Sequence, residues 1–74
     1  MIKLDQETFN RLVDLFNKDQ NYELEKNLKF LLERYPKSYS LLNLQGVFEK
    51  KIGNLNQSIS SLKKAIKVMI TTLM

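Results

Sequence analysis

Few residues in this 74-residue sequence could do chemistry. Cys and His are both missing. That excludes a disulfide framework, a Cys/His zinc site, a thiol nucleophile and a Ser-His-Asp triad. Asp19-x-Asn21-x-Glu23 imitates the opening of a calcium loop. The sixth position is Leu24 where such a loop turns on Gly, and the twelfth is Phe30 where it needs a bidentate Glu. Glu23 and Glu25 are two apart, on different faces of a helix, and do not form a working carboxylate pair. Ser58, Ser60 and Ser61 have no base to activate them. Asn56-Gln57-Ser58 fits the glycosylation pattern, but the opening Met1-Ile2-Lys3-Leu4-Asp5 does not read as a secretory leader. A cytoplasmic location is therefore expected. Neither Gly46 nor Gly53 lies in a phosphate-cradling loop. The expectation is no enzyme, no cofactor and no metal.

What remains to carry function is surface, and the periodicity predicts four helices to build it. Asp5 is placed to cap the first, with Phe9, Leu12, Val13 and Phe16 on one face. The polar string from Asn17 to Asn21 breaks it. A second helix carries Leu24, Leu28, Leu31, Leu32 and Tyr35 and ends at Pro36, because the residue before Pro avoids helical angles. A third follows Ser38 as N-cap, carries Leu41, Leu42, Leu44, Val47 and Phe48, and stops at Gly53. The fourth carries Leu55, Ile59, Leu62, Ala65, Ile66, Met69 and Leu73. Short linkers make neighbouring helices antiparallel. No apolar run approaches the roughly 20 residues of a membrane span, so no membrane partner is expected.

The two halves superpose when the first is slid along the second. In one register Val13 lands on Val47, Leu28 on Leu62, Leu32 on Ile66, and the turn at Asp19 on Gly53. A helix-turn-helix unit at this period, about 34 residues, resembles the tetratricopeptide repeat. Gly46 stands at that family's small position in the first helix, Gly53 at its turn, and Ser58, Leu62 and Ala65 at its small, large and small positions in the second. Gln45 and Glu49 stand where the family prefers Leu and Tyr, and Leu12, Leu24 and Leu31 replace small residues in a degenerate first unit. The resemblance implies an all-α domain over residues 1–74. Two stacked antiparallel helix-turn-helix hairpins would form a short α-solenoid, with repeat one about 5–37 and repeat two about 38–70. It also implies a groove lined by the first helix of each unit that binds protein or peptide. Its candidate residues are Phe9, Val13 and Phe16 from the first unit and Asn43, Val47 and Lys50 from the second.

Two further features bear on partners. The net charge of +4 falls entirely in residues 38–74, which hold five Lys, one Glu and no Arg, whereas residues 1–37 balance. Nucleic-acid modules usually mix Arg and aromatics into their basic patches. A solvated lysine face is therefore the simpler reading, and a nucleic-acid role for Lys50, Lys51, Lys63, Lys64 and Lys67 is the alternative. The close, Val68-Met69-Ile70-Thr71-Thr72-Leu73-Met74, is apolar and uncharged. It could fold onto its own bundle, pair with a second copy, or belong to a longer array. The favoured expectation is a self-associating interaction module, a homo-oligomer joined through Ile66, Met69, Ile70 and Leu73, since a domain this small has a thin core. A repeat fragment of a larger enzyme is a further alternative.

Overall fold

Helices α1 (Gln6–Asn17), α2 (Asn21–Arg34), α3 (Tyr39–Lys51) and α4 (Leu55–Leu73) follow one another along the chain. The structure is a computed structural model that describes residues 5–73, with no strand among them. Two antiparallel hairpins, α1–α2 and α3–α4, pack together through α2 and α3. The body is flat, 36 × 32 × 17 Å.

Local chemistry sets the boundaries. The Asp5 carboxylate accepts from the Thr8 amide at 2.8 Å and the Ser38 hydroxyl from the Leu41 amide at 3.3 Å. Each side chain thereby satisfies one of the donors that a helix start leaves open. Both hairpin turns close identically. The Asp19 amide donates to the Phe16 carbonyl and the Gln20 amide to that of Leu15; at the equivalent turn of the second hairpin, Gly53 donates to Lys50 and Asn54 to Glu49. These are paired Schellman bonds, and they require a left-handed residue just past the helix. Asp19 and Gly53 fill that place with φ of +58° and +86°.

The core lies between the hairpins. Leu12 of α1, Leu24, Leu28 and Leu31 of α2, and Leu41, Leu44 and Phe48 of α3 form one buried cluster. Phe9, Leu15, Phe16, Leu32 and Tyr35 pack against its edge. From α4 the buried residues are small: Ser58, Ser61 and Ala65. Small residues let α3 and α4 approach closely. A Cβ placed on Gly46 would lie 2.6 Å from Leu62 Cδ2 and 3.4 Å from the Ser58 carbonyl oxygen. Two hydrogen bonds about one turn apart tie the same seam. The Ser58 hydroxyl donates to the Gly46 carbonyl at 2.7 Å, and the Ser61 hydroxyl donates to Glu49 Oε1 at 2.6 Å.

Candidate interaction surface

The two groups of groove candidates separate. Phe9, Val13 and Phe16 are half-buried, and the two Phe rings pack on the core cluster. Asn43, Val47 and Lys50 lie exposed along one face of α3. Of the apolar groove candidates, those on α1 therefore serve mainly in packing, while Val47 on α3 stays open. Phe16 has a further role. The Lys51 ammonium stands 4.2 Å from its ring centre and donates to its backbone carbonyl at 2.7 Å, while pairing with Asp19. One lysine at the end of α3 thus grips the C-terminal turn of α1, where the helix dipole favours a cation.

Among the described residues, half of the ten exposed large hydrophobics lie on α4. Leu55 is 58% exposed, Ile59 53%, Ile66 51%, Ile70 50% and Met69 40%. With half-buried Leu62 they recur every three or four residues, so they form one stripe along the helix. Of the self-association candidates, Ile66, Met69 and Ile70 lie on it, and the side chain of Leu73 lies outside the described residues. Leu55 and Ile59 extend the stripe towards the start of α4. Periodicity places them on one face with Leu62 and Ile66, and the structure leaves that face exposed at both. The 34-residue sequence register sets this face beside its counterpart in α2. Leu28 and Leu32 of α2, with Tyr35 just past its end, stand 34 residues before Leu62, Ile66 and Met69; Leu28 lies in the cluster that α3 completes, and Leu32 and Tyr35 pack against it. The matching face of α4 has no following helix on it among the described residues.

One flank of the stripe is basic. Lys63 follows Ile59 by four positions and Lys67 follows Lys63 by four, which sets both beside Ile59, Ile66 and Ile70. Both are exposed, as is Lys64. Lys64 and Lys67 continue into a cavity of about 540 Å³ that Lys37 shares, floored by Pro36, Leu42 and Val68 and lined by no acid. A second groove of about 430 Å³, between α2 and α4 over α3, has Glu25, Lys29, Glu33 and Lys64 along it. Its mixed signs give no field for a charged ligand. Glu49, the one acid of residues 38–74, is 8% exposed and holds the Ser61 hydroxyl.

Among the described residues no group of three or more His, Cys, Asp or Glu is placed to hold a metal ion, and no helix is long and apolar enough to cross a membrane. No family model, no curated protein and no solved structure matches the chain.

Proposed function

We propose that this chain is a non-enzymatic protein-interaction module of the tetratricopeptide-repeat type that docks a helix along α4. One observation carries the reading: Ile66 and Met69 of the α4 stripe are exposed, whereas Leu32 and Tyr35, their counterparts 34 residues earlier, pack against the core cluster. A contiguous apolar face of this kind marks an interaction site. The identical closure of the two hairpin turns, at equivalent positions of the two units, supports the repeat reading.

Self-association is a second reading, and the polarity of the other end limits its geometry. Leu41, Gln45 and Phe48 of α3 correspond to Glu7, Arg11 and Asp14 of α1, all three exposed. A second copy stacked head to tail would set charges on the stripe. Copies that pair must therefore do so stripe on stripe about a two-fold axis.

The test is Ile59→Ser with Ile66→Ser, followed by sedimentation and thermal melting. At a concentration where the parent is monomeric, the variant keeps the parent's melting temperature and helix content. It loses pairing with a second copy and with added amphipathic helices. A variant monomer that unfolds would show that the chain covers the stripe itself, and the docking reading would fall.

A further inference from the structure

Resting on that reading, we infer that the occupant of the α4 stripe is an acidic amphipathic helix of a partner protein. Two placements point to it. The first is shape. The counterpart face on α2 is met by a helix, α3, and α4 spans 19 residues, about 28 Å at roughly 1.5 Å per residue. The cover is thus a helix of about five turns with apolar residues three and four apart.

The second is charge. Past the stripe, the surface of α4 turns to Lys63, Lys67 and Lys64 in succession, and the adjoining cavity adds Lys37. The sequence of α4 contains no acid. The single acid of the second half, Glu49, is buried on the α3 side and hydrogen-bonded to Ser61. A helix lying on the stripe therefore meets Lys63 and Lys67 first at this flank, with Glu25 and Glu33 beyond Lys64 in the groove against α2. Glu or Asp on its own flanks would pair with these lysines; a second copy of this chain would oppose lysine to lysine. Opposite charges across an interface select the partner and speed encounter, and like charges reject it.

The probe is a synthetic amphipathic helix of about 18 residues, matched to the length of α4, with Leu on one face and Glu on both flanks. Its counterpart carries Lys in place of every Glu. Binding to the full chain is followed by fluorescence anisotropy at rising salt. The expected result is that the Glu helix binds roughly tenfold or more tighter than the Lys helix, and that the advantage fades as salt screens the pairs. Lys63→Glu with Lys67→Glu reverses the preference. Equal binding of the two helices, or binding of neither, overturns the inference. So does a chain that dimerises through the stripe and stays dimeric when the Glu helix is added. Equal binding that Ile59→Ser with Ile66→Ser abolishes leaves the docking reading standing and removes only the acidic partner. Equal binding that the double variant leaves unchanged removes both.

Discussion

Asp19 and Gly53 occupy the same left-handed turn position in the two hairpins, one with a side chain and one without. The left-handed region costs an L-residue roughly 1–2 kcal/mol, less for Asp and Asn. Asp19 offsets part of that through its ion pair with Lys51, an exposed contact that contributes about 1 kcal/mol or less. A Cβ on Gly53 would touch nothing within 4 Å. Gly53→Ala should therefore lower stability by about 1 kcal/mol for conformational reasons alone. Asp19→Gly should change it by less, because relief of the backbone and loss of the ion pair oppose each other. Urea unfolding of the two variants checks both signs.

Gly46 is small for a different reason, contact with the neighbouring helix. Leu62 Cδ2 and Cγ would lie 2.6 and 2.7 Å from its added Cβ, closer than packed atoms tolerate. Gly46→Leu should destabilise by about 1–3 kcal/mol through overpacking. Gly46→Ala should cost less, since Ala gains about 1 kcal/mol of helix propensity over Gly. Leu62→Ala should relieve part of the Gly46→Leu cost. A double-mutant cycle reads that coupling directly; a cycle with no coupling would mean that the two helices do not meet at this seam.

Much of this architecture is legible before any coordinates. Asp5, Ser38 and Pro36 mark helix ends by their backbone chemistry, and the repeat register pairs Asp19 with Gly53. The stripe is only half legible. Periodicity shows that Leu55, Ile59 and Ile66 share a face, but it is silent on whether anything covers that face, because cover is a tertiary fact. Phe9 and Phe16 illustrate the converse: the same spacing serves a groove or a core, and packing against Leu12 and its neighbours decides. Glu49 appears in the sequence as a misfit in an apolar helix. Ser61 accommodates it from another helix, 12 residues later, and no local pattern announces a bond of that range.

The Glu49–Ser61 bond predicts an asymmetric response. Ser61→Ala removes a donor from a nearly buried carboxylate and should cost about 1–3 kcal/mol, the penalty for leaving a buried acceptor without its partner. Replacing both groups, Glu49→Met with Ser61→Ala, should cost less than Ser61→Ala alone, since apolar isosteres of a buried polar pair are often neutral or stabilising. Chemical denaturation of Ser61→Ala, Glu49→Met and the double variant gives the comparison. A double variant as unstable as the sum of its parts would mean that the two side chains act independently.

The lysine face separates the protein-docking reading from the nucleic-acid alternative. Lys63, Lys64 and Lys67 are exposed and form no ion pair among the described residues. Replacing all three by Gln should shift stability by less than about 1 kcal/mol, as surface changes away from caps and cores usually do. The same variant should lose the preference for Glu-flanked over Lys-flanked helices while still binding through the stripe. Phosphate binding would behave differently. It would need no apolar stripe, would survive Ile59→Ser with Ile66→Ser, and would fall steeply with salt in proportion to the phosphates neutralised. Gel shifts with a duplex DNA and a single-stranded RNA, run on the parent and both variants, distinguish the two. Salt-sensitive binding that the stripe variant keeps and the triple Gln variant loses would make the lysines a nucleic-acid surface and end the case for an acidic helix.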